Sequence, residues 1–303
     1  MSKGATPVSV SGLFVGLATL DVIHRIDETP GPNEKVTATQ QFVAAGGPAA
    51  NAAVTFAALG GRATLLTALG SGPVAEMIRA ELRSVGVRVE DVAPNMADLA
   101  PVSSVSVLES TGERSVVGGD AARWSVPTPS EELVSSEVRN ADVVLLDGHH
   151  PEAARAVAGE ARRRASPTVL DAGRWKPVMS DLIPQVSDVV ASADFRMPGT
   201  TTAEETGREL VAAGVPVTAV TSGSEPITWW SGGSSGIVAV PDVEAVDTLG
   251  AGDVFHGAYA FALARSASIK QRLVFASEIA SIRCAMVGPR SWLNAISRVS
   301  LTQ

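Results

Sequence analysis

The stretch Asp247-Thr248-Leu249-Gly250-Ala251-Gly252-Asp253 sets two carboxylates around a turn of small residues. Upstream, Gly236 to Val246 alternates and carries Val and Ile, as a strand does. Downstream, Ala251 to Ala264 is rich in Ala, Phe and Leu and reads as a helix. The turn therefore opens a helix. Glycines at 250 and 252 let successive backbone N–H groups converge on one oxyanion, and the helix N-terminus adds partial positive charge. A transferring phosphoryl group is such an anion. In this reading Gly250, Ala251 and Gly252 hold the charge that develops on phosphate oxygens, while Asp253 accepts the proton of an attacking hydroxyl. An acid in a first helical turn also complements the helix dipole with no catalytic role. Capping alone, however, needs only Thr248 or Asp247, not acids on both sides of the turn.

Such a turn must sit at the end of a strand, and the rest of the chain supplies strands and helices in alternation. Strands are expected near 63–69, 142–146, 167–171, 187–191 and 215–221, with helices over 74–85, 152–165 and 202–213. That order predicts a parallel sheet covered on both faces. Val8 to Leu20 reads as the first strand: it is too short to span a bilayer, has no basic segment before it beyond Lys3, and ends in Asp21. Lys35 to Ala44 and Pro101 to Val117 break the rhythm as extended, polar-alternating segments, and Ser231 to Gly236 reads as a turn between strands. With 303 residues, 45% of them hydrophobic, the chain can bury the core of one large α/β domain with a small appendage.

DTLGAGD followed by Val254-Phe255-His256-Gly257-Ala258 resembles the C-terminal signature of the ribokinase-like, or PfkB, carbohydrate kinases. Gly46-Gly47-Pro48-Ala49-Ala50-Asn51-Ala52-Ala53-Val54, leading into Leu59-Gly60-Gly61, is similar to the N-terminal signature of that family. Gly16-Leu17-Ala18-Thr19-Leu20-Asp21 adds a third match, a strand ending on an acid. The resemblance covers essentially the whole chain. It implies a ribokinase-like three-layer α/β/α fold with a mostly parallel sheet, one kinase domain over 1–303, and lid strands inserted at 33–44 and 100–119.

The implied activity is ATP-dependent transfer of the γ-phosphate to a sugar hydroxyl. Asp21, Asn33, Lys35, Gly46, Gly47, Asn51 and His149 would surround the sugar. Thr221, Gly223, Asp194, Thr248, Gly250 and Gly252 would lie beside the nucleotide. Mg²⁺ is expected to neutralise the phosphates, with a monovalent cation such as K⁺ as a further possibility and a homodimer formed through the lid. Which residues hold the metal is open. The family's Asn-x-x-Glu motif should fall at Ala193 to Arg196, where Asp194 offers an acid and Arg196 a direct phosphate contact. Thr221-Ser222-Gly223 resembles the Thr-x-Gly turn beside ATP, but the later glycine is replaced near Pro226. Arg174 and Lys176 read either as phosphate contacts or as surface charges.

A ketohexose is the expected acceptor, from the similarity of the Gly70-Ser71 turn and of Asn33 to the ketohexokinase branch, although Pro48 replaces an Asn common there. GGPAANAAV and GDVFHGA also resemble sulfofructose kinases, whose anionic substrate needs basic partners. Lys35 suits that role, but His149 stands for an expected Arg and Gly118 for a polar side chain, which favours a neutral keto sugar. Alternatives are a sulfofructose or phosphosugar kinase, a nucleoside kinase, a NAD-binding oxidoreductase and a binding protein that has lost catalysis. One Tyr and 4% aromatics offer little to stack a nucleoside base. Gly70-Ser71-Gly72-Pro73-Val74-Ala75 matches a dinucleotide fingerprint, but a strand and the Gly46-Gly47 turn precede it, whereas that fingerprint belongs at the first βα turn.

Composition narrows partners further. A net charge of −8 with 24 Lys plus Arg argues against nucleic acid and anionic membrane. The single cysteine, Cys284, excludes a disulfide framework, reads as a core residue, and makes a cytoplasmic location the expectation.

Overall fold

The computed structural model describes residues 9–118 and 126–301. In chain order the first half runs β1 (Ser11–Val15), β2 (Thr19–Ile26), β3 (Gln40–Gly46), α1 (Pro48–Ala58), β4 (Arg62–Thr67), α2 (Pro73–Ser84), β5 (Val87–Asp91), β6 (Val102–Leu108) and β7 (Arg114–Gly118). Then come α3 (Glu131–Arg139), β8 (Val143–Leu146), α4 (Pro151–Arg163), β9 (Thr168–Ala172), α5 (Met179–Leu182), β10 (Asp188–Ser192), α6 (Ala203–Ala212) and β11 (Val217–Ser222). The chain closes with β12 (Glu225–Ser231), β13 (Ser234–Val238), α7 (Ala251–Ala264), α8 (Ile269–Cys284) and α9 (Leu293–Ile296).

Nine strands form one sheet in the order β13-β12-β11-β10-β9-β8-β1-β4-β5, parallel except for β12, which pairs antiparallel with both β11 and β13. Its strands are apolar on both faces, and the faces separate by a period of two. Phe14, Leu65, Val143, Leu145, Val169 and Val190 pack into the core under α1, α7 and α8. Their neighbours Leu13, Val15, Leu66, Val144, Leu146 and Leu170 pack into the opposite core with α4. This is the expected ribokinase-like three-layer arrangement. A second sheet, β3-β2-β6-β7, stands apart, with β2 and β6 parallel and the other pairs antiparallel. Among the described residues no helix is long and apolar enough to cross a membrane.

Several expected boundaries move. The first strand does not run on to Leu20: β1 stops at Val15, Gly16 turns beside Asp147, and β2 joins the small sheet, so Asp21 lies within a strand of that sheet. Val8 and Lys3 lie outside the described residues, as does residue 119 at the end of the second expected lid segment. Of Lys35 to Ala44, only the part from Gln40 is strand; Pro101 to Val117 is two strands joined through Gly112. Gly236 to Val246 leaves the sheet after Val238, ahead of Pro241, which cannot donate to a ladder. The segment instead docks by Val246 N–H donating to Cys284 O at 2.9 Å. Cys284, expected in the core, is half-buried at the end of α8, and burial pushes its thiol up.

Candidate active site

Helices α1 and α7 cross closely enough to join the two sequence motifs. A Cβ on Gly257 of α7 would overlap the carbonyl of Ala52 on α1, so only glycine permits this approach. Phe56 of α1 stacks edge-on with Phe14 of β1 at 5.3 Å and with Phe261 of α7 at 5.5 Å, which locks the crossing from below. At its upper end Asn51 Nδ2 donates to Asp253 Oδ2 at 2.8 Å.

Gly250 is the N-cap of α7, in a left-handed conformation with φ 71, and no side chain caps the first turn. The helix therefore presents amides, with Gly252 exposed, where an anion can meet them. The cradle is narrower than expected, because Ala251 N–H donates to Thr248 O at 3.2 Å. Asp247 is not a second acid facing the site. It is buried against Arg283 at 3.0 Å and accepts from Leu249 and Gly288 N–H. Burial raises the Asp253 carboxyl to about 6, with the charge of Asp171 adding and Asn51, His256 and Arg114 opposing. A base so placed changes protonation state close to neutral pH.

The acid Asp21 comes from β2. Thr19 donates to its Oδ1 at 2.6 Å, and burial raises its pKa against the hydrogen bonds from Thr19 and Ser103 and the charge of Arg290. Gly46 lies so close that a Cβ there would overlap the Asp21 carboxyl, and Gly47, at φ 95, passes over Leu17 O. The glycine pair is thus a turn pressed between the acid and the β1–β2 connection. Asp21, Ile23, Asn51, Gly250 and Arg290 line one pocket.

Sequence reasoning missed the residues that hold this pocket in shape. Arg290, from a short run after α8, donates to Asn51 Oδ1 at 3.2 Å and from Nε to Glu81 Oε1 at 3.0 Å. A lone Arg in an apolar C-terminal stretch was the only signal. Asp147 accepts from Leu17 N–H at 2.9 Å, Ala49 N–H at 3.2 Å and His149 N–H at 2.8 Å, tying the end of β8 to the start of α1. Burial would raise its pKa, but His149, its hydrogen bonds and Lys176 outweigh that and hold it well below the carboxylate range. His256 sits beneath the anion turn, Nδ1 2.7 Å from Gly252 O and Nε2 3.5 Å from the buried Asp171.

Five expected sugar contacts are not among the pocket-lining residues: Gly46 and Gly47, which only border it beside Asp21, and Asn33, Lys35 and His149. Asn33, at φ 69, and Lys35 are exposed in the connection between β2 and β3. His149 faces inward, Nδ1 3.1 Å from Asp147. Its neighbour His150 is buried, which lowers its pKa to about 4.

On the other side of the turn the residues are sparser. Thr221 is the next-to-last residue of β11, beside β10, its carbonyl accepting from Ala193 N–H at 2.7 Å, and Gly223 is exposed in the following hairpin turn. Asp194 is exposed. Arg196 is not free for a phosphate: its guanidinium donates to Thr201 O at 3.0 Å and Phe195 O at 2.7 Å. Lys176 likewise donates to Asp147 O at 2.8 Å, while Arg174 is exposed. The Thr248 hydroxyl turns toward the small sheet, donating to Gly112 O at 2.8 Å.

Among the described residues no group of three or more His, Cys, Asp and Glu side chains is arranged to hold a metal. Asp194, exposed just after β10, offers one carboxylate to Mg²⁺ that arrives with substrate phosphates and needs only one or two, whereas Asp171 is buried beside His256.

Residues 12–295 match the model of the pfkB family of carbohydrate kinases. Ribokinase of Bacillus subtilis (strain 168) is 26% identical over 90% of this chain and 92% of its own. Ketohexokinase of Mus musculus is 27% identical over 91% and 96%. The structure of Arabidopsis thaliana ribokinase complexed with ribose and ATP aligns with TM-score 0.75 at 24% identity, covering 97% of this chain and 100% of that one. The chain therefore belongs to the pfkB family of carbohydrate kinases, phosphotransferases that act on a hydroxyl of their substrate.

Proposed function

We propose that this kinase transfers the γ-phosphate of ATP to a hydroxyl of a small neutral sugar, with a ketohexose as the first choice. The supporting observation is the charge of the pocket. Among the described residues that line it, the one carboxylate is Asp21 and the two arginines are already matched, Arg290 by Glu81 and Arg283 by Asp247. A phosphate or sulfonate on the acceptor would therefore meet Asp21 in a pocket whose described cations are committed, with Lys35 outside it. Asp21, Asn51 and the backbone of Gly46 and Gly47 hold the sugar hydroxyls, and Asn33, Lys35 and His149 contribute only if the lid moves. Asp253 takes the proton of the attacking hydroxyl, and the amides at Gly250 and Gly252 stabilise the charge on the transferring group. Thr221, Gly223, Asp194 and Thr248 flank the nucleotide. Mg²⁺, approached by Asp194, neutralises phosphate charge.

A pentose is the second reading, favoured by the ribokinase similarity. The four-stranded sheet acts as a lid on a single kinase domain. Its outer face leaves Val43, Val102 and Val117 exposed, at 54%, 45% and 77%, which favours a homodimer through this sheet. A cytoplasmic location is part of the same proposal. ADP release with ATP, Mg²⁺ and K⁺ across fructose, other ketohexoses, ribose, sulfofructose, fructose phosphates and nucleosides tests the reading, with Asp253→Asn as control. Turnover on neutral sugars is expected. Preference for an anionic acceptor overturns the charge argument.

A further inference from the structure

We propose that Arg290 is a positioning residue that holds Asn51 in the one amide orientation able to serve Asp253, and that it does so from a clamp shared with the hinge of the lid. The inference rests on Asp253 being the base of the proposed kinase reaction. Asn51 has a donor end and an acceptor end, and the structure gives each a partner of one kind only. Its Nδ2 faces Asp253 Oδ2 at 2.8 Å, a group that accepts when ionised, and its Oδ1 faces Arg290 Nη1 at 3.2 Å, a group that can only donate. Turning the amide over would set oxygen against carboxylate and NH₂ against guanidinium. Without Arg290 only one of those penalties remains.

Arg290 is itself held on several sides. Nε donates to Glu81 Oε1 of α2 at 3.0 Å, Nη1 also donates to Pro289 O at 3.1 Å, and Nη2 donates to Ala45 O. Glu81 completes the clamp by accepting Ala45 N–H at its other oxygen. Both backbone groups of Ala45, the residue before the Gly46-Gly47 turn, are therefore gripped by a carboxylate and a guanidinium that pair with each other. The lid strand β3 enters the core through that turn. Lid anchoring and base orientation thus share one side chain.

The groups acting on Asp253 are Asn51 of α1, Asp171 of β9, Arg114 of β7 and His256 of its own helix; those acting on Arg290 are Glu81 of α2, Asp21 of β2 and Arg283 of α8. Replacing Arg290 leaves the first set in place, except that Asn51 is free to turn. Because the Asn51 N–H favours the ionised form of Asp253, its loss must raise the pKa of the base.

Arg290→Met is expected to lower kcat by about tenfold to a hundredfold, the range for losing a partner that orients a functional ligand. The acid limb of the pH profile should move to higher pH, and Asn51→Ala should then add little further loss of kcat, its lost sugar contact showing in KM instead. Arg290→Lys keeps a charge opposite Glu81 without the fork, and serves if the Met variant does not fold; a smaller loss of kcat with the same upward displacement is expected. An unmoved acid limb, or losses of kcat from Arg290 and Asn51 that simply multiply, overturns the proposal. The Asp253 titration is also read without turnover, by ¹³C NMR of carboxyl-labelled Asp assigned with Asp253→Asn. A protein that phosphorylates no sugar but whose Asp253 titrates higher in Arg290→Met would refute the kinase reaction and keep the relay. Turnover with an unchanged Asp253 titration would do the reverse.

Discussion

On the proposed acceptor side of the cleft, Asn51 reaches Asp253 across 202 positions of sequence and Arg290 reaches Glu81 across 209. On the proposed donor side, Thr221 lies near the end of β11, and Gly223 and Asp194 lie on turns after β11 and β10, both open to solvent. The first region is preorganised by bonds between distant elements, so its geometry exists before substrate arrives. The second offers backbone and space, which suits a large ligand bringing its own charges and metal. Each half should therefore fail in its own way when altered.

Asp253→Asn breaks the acceptor side most severely. Turnover should fall by about two to four orders of magnitude, the range for a general base, while sugar binding measured by calorimetry survives. Unchanged turnover would remove Asp253 from its role. In the wild type, kcat/KM should decline as pH falls below about 6, where Asp253 becomes protonated. Stability runs in the opposite sense. A carboxyl whose folded pKa lies above its unfolded value of 3.8 destabilises the fold once ionised, fully so above about 6. Asp253→Asn should therefore raise Tm at pH 7.5, with the gain fading as pH falls toward the unfolded value.

Next in size is Phe56→Ala, which removes the ring between Phe14 and Phe261 and should cost about 3–5 kcal/mol in denaturant unfolding. A loss below about 1 kcal/mol would show that α1 and α7 do not depend on that ring. Gly257→Val, forcing a side chain toward the Ala52 carbonyl, should cost about 1–3 kcal/mol. It should also depress kcat more than KM, because the crossing that sets the Asn51–Asp253 contact opens. The smallest effect belongs to the donor side. Thr221→Val should raise KM for ATP only a few-fold, about the 1 kcal/mol of one hydrogen bond, and leave KM for sugar unchanged. A hundredfold rise would mean the donor side is as tightly built as the acceptor side.

How far the site was legible follows the same division. The DTLGAGD turn and the Gly46-Gly47 pair are local devices, a left-handed N-cap and a close approach, and such devices show in residue type. The strands at 142–146 and 187–191 were legible because a sheet covered on both faces demands unbroken apolar runs. Asp21 was found as an acid but misplaced, since nothing local says that the chain leaves the large sheet at Gly16. Asn33 and Lys35 were named by resemblance and lie on an exposed connection. Arg196 looked like a phosphate ligand, yet its donors turn back onto its own loop.

By itself, the sequence determined the alternation of elements, the helix that opens on Gly250, and the carboxylate at 253, because periodicity and turn chemistry act over a few residues. Only the tertiary structure decided that Asn51 faces that carboxylate, that Arg290 and Glu81 close around Ala45, and that Asp147 joins β8 to the start of α1. Those contacts join elements far apart in the chain, and packing of the two cores, not local preference, brings them within hydrogen-bond reach.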